Sequence, residues 1–394
     1  MLRPSQGSIS NVRNVISPHI DQPSFVGWPH KGTRYMTSSQ DHLLPLEKDD
    51  QTGRGILLIY TGGTIGSAPQ DPMDPHSPQI VMPWRDLKTS IPGLDRLGYP
   101  IDAISFAEPL NSCDIEPYHW QWMADIIAQR YDDYEGFVIL HGTDTLAYTA
   151  SMLSFMLGHL GKPVVVTGAQ IGGVSFVRND AHQNLLTAAM LAHPKAHGLK
   201  CIPEVMVCFG GRILRGNRTR KVDSFRFQGF DSPDLPWLGE CGERIVLRPV
   251  YSLPIPSEPL RVRTEVERDV IMLEMFPGIQ RAKILEAILS QQAPKGIVLR
   301  SFGAGNIPTE KGFLSTIQAY LGDGGVVVNV TGVGRGGVNM GLYDTNQQLL
   351  DLGIWSGFDM TPEAAMCKLM WLLGQEHDDV QEIFQSSLVG ELSM

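Results

Sequence analysis

Short apolar runs alternate with amphipathic stretches along most of the chain, from Gly55 onward. Segments 117–130 and 145–157, where apolar residues recur every three or four positions, predict helices. Continuous apolar runs separated by helices are typical of wound α/β domains with parallel sheets. The runs predict strands at 56–60, 137–140, 164–167, 205–209, 270–275, 297–300 and 326–330.

The pattern divides the chain into four regions. Residues 1–52, rich in Ser, Pro, His and Gln, show no sustained periodicity and predict a mobile N-terminal extension. An organelle presequence, or a true start at Met36, would also explain it. A proline-rich linker at 246–266 is expected to join a larger N-terminal domain, 53–245, to a smaller C-terminal domain, 267–394, each with a wound parallel sheet.

Charge and cysteine content narrow the class of partner. A net charge of -10 disfavours nucleic acid and anionic membrane surfaces, which select clustered Lys and Arg. No apolar run approaches the roughly 20 residues of a membrane span, and the N-terminus lacks a secretory apolar segment. Five scattered cysteines without a CxxC pair give no signature of zinc or a redox dithiol. We therefore expect a cytoplasmic protein that acts on a small solute.

Two strand ends combine glycines with hydroxyl groups. The strand at 56–60 runs into the turn TGGTIG, which contains Gly63 and Thr64. Glycines let backbone N–H groups approach a ligand closely, as an oxyanion hole requires. A tight turn in which Thr64 caps a helix would give the same letters, whereas a phosphate loop would end in GKS or GKT. The turn alone does not choose between a site and a cap.

The strand at 137–140 runs into HGTDT, which contains His141, Gly142, Thr143 and Asp144. Ligands in open parallel sheets bind beyond the carboxyl ends of strands, so this turn is a second candidate for a site. Asp144 by itself predicts an N-cap of the following helix. His141 by itself predicts a packed, hydrogen-bonded histidine rather than a catalyst.

Taken together, TGGTIG and HGTDT closely resemble the two signatures of the L-asparaginase family. The similarity continues through 148–156, 161–170, 215–219 and 357–361, and is closest to the bacterial cytoplasmic type I branch. The resemblance implies a threonine-dependent amidohydrolase that cleaves the side-chain amide of asparagine, with no metal or organic cofactor. It also implies a homodimer or homotetramer, because the family's active sites lie between paired subunits.

The resemblance also assigns roles to individual residues. It makes Thr64 the nucleophile and places Thr143, Asp144 and Lys221 in the supporting catalytic group. Substrate contacts fall to Gly63, Ser112, Cys113, Gly142 and Asp144, with Asp144 facing the α-amine and Ser112 the α-carboxylate. The chemistry is reasonable because a neutral hydroxyl is a weak nucleophile that needs a nearby base. Read without the resemblance, Lys221 would be a solvated surface lysine.

Three departures from the family pattern affect these expectations. Cys113 replaces a polar residue, and the segment 67–78, expected to be a mobile lid stiffened by the three prolines of 71–78, lacks the usual tyrosine. His76 is a candidate to take over that tyrosine's contact. The positions that align with the allosteric asparagine site of type I enzymes hold Arg220 and Val333, so cooperative control is not expected to follow the family.

Several alternatives stay open. Residues 332–337 match GxGxxG, although no capped helix is predicted to follow a dinucleotide turn there. His193 and His197 have the spacing of a helical metal pair, but Pro194 separates them and core or surface histidines are favoured. The altered lid would also suit an amidohydrolase acting on another amide, or a catalytically weak subunit that binds ligand or supplies ammonia.

Overall fold

The fold is known from a computed structural model that describes residues 42–71, 74, 77–171, 178–281, 293–340 and 344–393. Strands of its two larger sheets are numbered in chain order. The first sheet has the order β8-β7-β6-β5-β4-β3-β1-β2. Its first five strands in chain order, β1 to β5, run parallel to one another, whereas β6, β7 and β8 add to the sheet in antiparallel pairs. Its strands are β1 (Ile56–Gly62), β2 (Ile101–Leu110), β3 (Gly136–Leu140), β4 (Val164–Thr167), β5 (Val205–Phe209), β6 (Arg212–Arg215), β7 (Gly239–Cys241) and β8 (Ile245–Leu247).

The central strands of this sheet are apolar on both faces because helices cover both. In β1, Leu57 and Ile59 face one core cluster, while Ile56 and Leu58 face another. This double burial explains why the strands read as continuous apolar runs. The helices of this domain are α1 (Trp84–Ser90), α2 (Pro117–Gln129), α3 (Leu146–Met156) and α4 (Ala181–Ala192).

The second sheet is entirely parallel, with the order β9-β10-β11-β12. Its strands are β9 (Val270–Glu274), β10 (Gly296–Ser301), β11 (Val326–Thr331) and β12 (Trp355–Ser356), and the helices described with it are α5 (Lys311–Gly322), α6 (Asp344–Asp351), α7 (Pro362–Leu373) and α8 (Val380–Gln385). Helix α3 packs against α7, so one apolar cluster runs through both parts of the molecule. The predicted two-sheet α/β architecture is confirmed, with a mixed rather than purely parallel first sheet.

The edge of the first sheet differs from the expectation for the N-terminal region. Backbone N–H groups of Leu44 and Glu47 donate to the carbonyls of Ser105 and Ala103, both at 2.8 Å. Leu43 and Leu46 pack on the core. Residues 42–49 therefore belong to the folded body, and the extension predicted over 1–52 was too long at its C-terminal end. Residues 1–41, including Met36, lie outside the described residues.

The ten-residue strand β2 was not predicted, although it is the longest of the sheet. Its sequence IDAISFAEPL places the buried Asp102 and Ser105 among the apolar residues, and the strand becomes exposed beyond Phe106. The Asp102 carboxylate accepts hydrogen bonds from the Asp49 N–H at 2.8 Å and the Tyr134 hydroxyl at 2.7 Å, which compensate for its burial. The predicted linker at 246–266 contains no α-helix, as its prolines predict. Among the described residues, no helix is both long and apolar enough to cross a membrane.

Candidate active site

The turn after β1 packs against the turn after β3. Gly62 and Gly63 have φ values of 116° and 80°, a region that residues with a Cβ rarely adopt. A Cβ on Gly63 would lie only 2.4 Å from the amide nitrogen of Gly142. The glycine pair therefore allows the two family signatures to meet at backbone contact. Thr64 begins a short 3-10 turn directly after this contact.

The glycine turn does not offer its first N–H to a ligand. The N–H of Gly63 donates to the carbonyl of Leu110 at 3.1 Å, where the end of β2 pairs with the end of β1. The sequence led us to expect Gly63 among the substrate contacts. Its visible role is steric, because it permits close approach, and an oxyanion would need another N–H donor.

Strand β2 delivers the third component, Ser112, which is 3% exposed. A Cβ on Gly142 would lie 2.6 Å from Ser112 Oγ, so Gly142 must lack a side chain. The N–H of Asp144 donates to Ser112 Oγ at 3.2 Å, and the hydroxyl of Thr145 donates to the Ser112 carbonyl at 2.7 Å. These contacts fix the HGTDT turn on the end of β2.

Lys221 joins the hydroxyl and the carboxylate of the HGTDT turn. Its Nζ donates to Thr143 Oγ1 at 2.8 Å and to Asp144 Oδ1 at 2.6 Å. Lys221 lies on the short strand Arg220–Lys221, which pairs antiparallel with Phe230–Asp231. The Lys221 side chain is 24% exposed, in contrast to the freely solvated lysine that its local sequence alone would predict.

The remaining oxygen of Asp144 accepts a hydrogen bond from Cys113 Sγ at 3.3 Å. The hydrogen bond from Lys221, together with that from Cys113, lowers the pKa of Asp144, because both stabilise the carboxylate. The same carboxylate raises the pKa of the Cys113 thiol, first because it accepts the thiol's hydrogen bond and so favours the protonated form, and second because a thiolate beside it would be repelled. Cys113 therefore contributes a thiol donor to the site, a contact that the sequence pattern did not indicate.

Two local expectations for the HGTDT turn have opposite outcomes. Asp144 does not cap α3, because Lys221 and Cys113 hold its carboxylate. The N-cap position belongs to Thr145, whose side chain makes no cap hydrogen bond. His141 is a packed, hydrogen-bonded histidine, as predicted. Its Nδ1 bonds the Gly142 carbonyl at 2.7 Å and its Nε2 bonds Thr149 Oγ1 at 2.9 Å.

The segment expected to be the lid forms an antiparallel hairpin in which Ser67–Pro69 pairs with Gln79–Val81. Its base is tied to the glycine turn, since Ser67 Oγ donates to the Gly63 carbonyl at 3.2 Å and the Met82 N–H donates to the Gly66 carbonyl at 2.8 Å. His76, the candidate replacement for the lid tyrosine, lies outside the described residues.

The structure also shows the contacts of the proposed allosteric positions, the histidine pair and the GxGxxG stretch. Arg220 donates to the Val333 carbonyl at 3.4 Å and pairs with Glu363 of α7 at 3.4 Å. His193 and His197 both pack on the ring of Tyr99, the core or surface arrangement that the sequence favoured. In the GxGxxG stretch, the Gly336 N–H donates to Asp234 Oδ1 at 2.8 Å, a contact within the protein.

Comparison with known proteins decides the family. Residues 55–250 match the family model described as "Asparaginase, N-terminal", and residues 269–385 match "Glutaminase/Asparaginase C-terminal domain". The chain belongs to the asparaginase family. The interval between the two matched regions, 251–268, overlaps most of the predicted proline-rich linker at 246–266. Membership confirms the predicted enzyme class, a hydrolase of carbon–nitrogen bonds.

Individual relatives of this asparaginase-family chain carry different names. It is 41% identical over 347 residues to "L-asparaginase 1" of Escherichia coli K12, with 86% of this chain and 98% of that protein covered. It is 35% identical to the "60 kDa lysophospholipase" of Mus musculus, with 86% and 63% covered. Among solved structures, "L-asparaginase I" from Vibrio cholerae is 36% identical with a TM-score of 0.76, covering 87% of this chain and all of that one, 100%.

Proposed function

We propose that this protein hydrolyses L-asparagine to L-aspartate and ammonia, with Thr64 as nucleophile and Thr143, Asp144 and Lys221 as the supporting group. The observation that supports the proposal most strongly is the bridge from Lys221 Nζ to Thr143 Oγ1 and Asp144 Oδ1, at 2.8 and 2.6 Å. This bridge joins Lys221 to residues that precede it by 77 and 78 positions in the sequence, and it lies at the carboxyl end of a parallel strand. Open parallel sheets place ligands at that end.

The proposed reaction has two halves. Thr64 Oγ1 attacks the side-chain carbonyl carbon, the C–N bond breaks, and the nitrogen leaves as ammonia after it receives a proton. Water then cleaves the ester on Thr64 and restores the hydroxyl. Thr143 and Lys221 form a hydrogen-bonded route for these protons, while Asp144 balances the charge of Lys221. No step requires a metal or an organic cofactor.

Substrate binding is proposed to use the polar groups around the same turn. Asp144 is an acid whose side chain remains 52% exposed, so it can face the α-amine of a bound amino acid. Ser112 Oγ already accepts the Asp144 N–H and keeps its own proton to donate to the α-carboxylate. Cys113 is a weaker donor than the polar residue usual at this position, so selectivity among amides is the least fixed part of the proposal.

An ammonia-release assay over L-Asn, L-Gln, D-Asn and small β-amides tests reaction and substrate together. We expect L-Asn to be the best substrate and Thr64→Ala to abolish release while its circular dichroism spectrum stays native. Rapid release from another amide alone would move the assignment to a different amidohydrolase. Binding without turnover would support the ligand-binding or ammonia-supplying subunit. Full hydrolysis by Thr64→Ala would exclude Thr64 as the nucleophile.

We also propose a cytoplasmic location and a homodimer or homotetramer, on the basis of the family resemblance. Sedimentation equilibrium of the purified chain distinguishes the two assemblies, and a monomer that keeps full activity would argue against an active site shared between subunits.

A further inference from the structure

The 387–393 segment follows α8 and makes a close set of contacts with residues that precede Lys221. Asn217 Nδ2 donates to the Val389 carbonyl at 2.9 Å, Arg215 Nη1 donates to the Gly390 carbonyl at 3.2 Å, and Arg218 Nη1 donates to the Glu391 carbonyl at 2.7 Å. Three successive carbonyls are thus bonded by three side chains of the 215–218 stretch. Such a match fixes the register of one segment on the other.

The 387–393 segment is itself held by a buried ion pair. The side chains of Lys368 on α7 and Glu391 are both 0% exposed, and Lys368 Nζ lies 2.5 Å from Glu391 Oε1. The Glu391 carboxylate also accepts the N–H groups of Leu388 and Val389, at 3.0 and 2.8 Å. Because a buried charge without partners is very unfavourable, these bonds hold the segment in one position.

Arg218 is where the segment meets the strand that contains Lys221. Its guanidinium, 1% exposed, forks onto the Asp359 carboxylate at 3.1 and 2.7 Å and also bonds Ser393 Oγ at 3.2 Å. Thr219, which comes next, is fully buried and donates to the Arg215 carbonyl at 2.7 Å. Arg220 then pairs with Glu363, also on α7. Each of the three residues directly before Lys221 is therefore held by its own side-chain contact.

We propose that the 387–393 segment positions Lys221 for catalysis, with Arg218 as the positioning residue. This inference rests on the proposed function, in which Lys221 acts on Thr143. The strand Arg220–Lys221 pairs only with the equally short Phe230–Asp231 in the described part of the chain, which is little support for a long, flexible side chain. A displacement of about 1 Å at a catalytic group can reduce turnover about 100-fold.

The test compares Arg218→Lys, Asn217→Ala and a chain without residues 387–394 with the wild type in ammonia release from L-Asn. We expect kcat to fall about 10- to 100-fold in Arg218→Lys and in the shortened chain, and less in Asn217→Ala, with KM changed by less than about threefold. A millimolar peptide with the sequence of residues 386–394 should restore part of the kcat of the shortened chain.

Matched controls separate positioning from general stability. Ile317→Ala removes buried apolar contacts in α5, far from Lys221 in the chain, and should lower the melting temperature without lowering kcat. If Arg218→Lys and Asn217→Ala lose melting temperature but keep the wild-type kcat, the positioning proposal is overturned even if the shortened chain fails to fold. If Lys221→Met in the full chain keeps wild-type turnover, the proposed function itself fails, which is a different result.

Discussion

Two lysine–carboxylate pairs of similar length have opposite surroundings. Lys221 and Asp144 lie 2.6 Å apart with side chains 24% and 52% exposed, whereas Lys368 and Glu391 lie 2.5 Å apart with both side chains fully buried. Lys221 bonds a hydroxyl besides its acid, while Lys368 bonds the carbonyls of Phe384 and Ser386. The Lys221–Asp144 pair leaves a carboxylate accessible to a ligand, whereas neither charged group of the Lys368–Glu391 pair, from here on the closed pair, is accessible; Lys221–Asp144 is called the open pair.

The difference teaches how to separate a reacting charge pair from a structural one. A buried pair stabilises a fold only when every donor and acceptor is satisfied, which is the state of Lys368 and Glu391. A pair that must exchange protons or meet substrate needs access and a partner that can itself transfer a proton, such as the Thr143 hydroxyl. Equal ion-pair distances therefore say little about role, and the other contacts of each lysine say much more.

The largest expected effect is on turnover at the open pair. Lys221→Met should lower kcat for L-Asn about 10²- to 10⁴-fold, because it removes the group proposed to manage protons for Thr143. Thr143→Ala should lower kcat by a factor in the same range. The double variant should be little worse than either single variant, since residues acting as a unit are not additive.

Stability provides the control for that experiment. Lys221→Met should change the free energy of unfolding by no more than about 1 kcal/mol, because the pair is partly exposed. Multiplied losses in the double variant would contradict a single catalytic unit, and a large loss of stability would make Lys221 a structural residue like Lys368.

The closed pair should show its main effect on stability. Lys368→Met leaves Glu391 buried and without its cation, which should cost about 3–5 kcal/mol of unfolding free energy in urea denaturation. Adding Glu391→Gln to Lys368→Met should recover part of that loss, because the uncompensated charge is gone. A loss below about 1 kcal/mol in the single variant would show that the pair is not buried and fully hydrogen-bonded in solution.

A third expectation concerns His141, the buried neighbour of the open pair. Burial lowers the pKa of His141 from 6.5 to about 4, so the unfolded chain binds a proton between these pH values and the folded chain does not. Stability is then complete above about pH 6.5 and falls as the pH decreases toward 4, by at most about 3 kcal/mol for this residue.

Urea denaturation at several pH values, with NMR titration of the His141 ring, measures this effect. Burial lowers the pKa of His119 in the same way, to about 4, so the ring-specific signal is needed to assign the change. A His141 ring that titrates near pH 6.5 in the folded protein would contradict the closed environment.

The smallest expected effect lies at the substrate side of the open pair. Ser112→Ala should weaken binding of L-Asn by about 1–3 kcal/mol, because its proposed bond goes to a carboxylate that does not react. Steady-state kinetics should show the change in KM with kcat largely preserved. Loss confined to kcat would instead indicate that Ser112 matters through its bond to the Asp144 N–H.

The comparison also shows where sequence patterns were sufficient. The strands at 164–167 and 205–209 were predicted to the residue, and the five others to within a residue or two at each end, because burial on both faces requires unbroken apolar runs. Strand β2 was missed because the buried Asp102 and Ser105 break its apolar run, and the partners that satisfy the Asp102 carboxylate, Asp49 and Tyr134, come from distant parts of the chain. The three antiparallel strands β6, β7 and β8 were also not anticipated, since each is only three or four residues long and offers too short an apolar run to be recognised.

Sequence by itself determined the two strand-end turns, because left-handed backbone at Gly62 and Gly63 and the close approach at Gly142 require residues without a Cβ. Only the tertiary structure decided what each charged side chain meets. Lys221 reaches Asp144 across 77 residues of chain, and Arg218 reaches Glu391 across 173. Local patterns report which face of an element is buried. They do not report which distant acid, hydroxyl or carbonyl will satisfy a lysine or an arginine, because that depends on how strands and the 387–393 segment align.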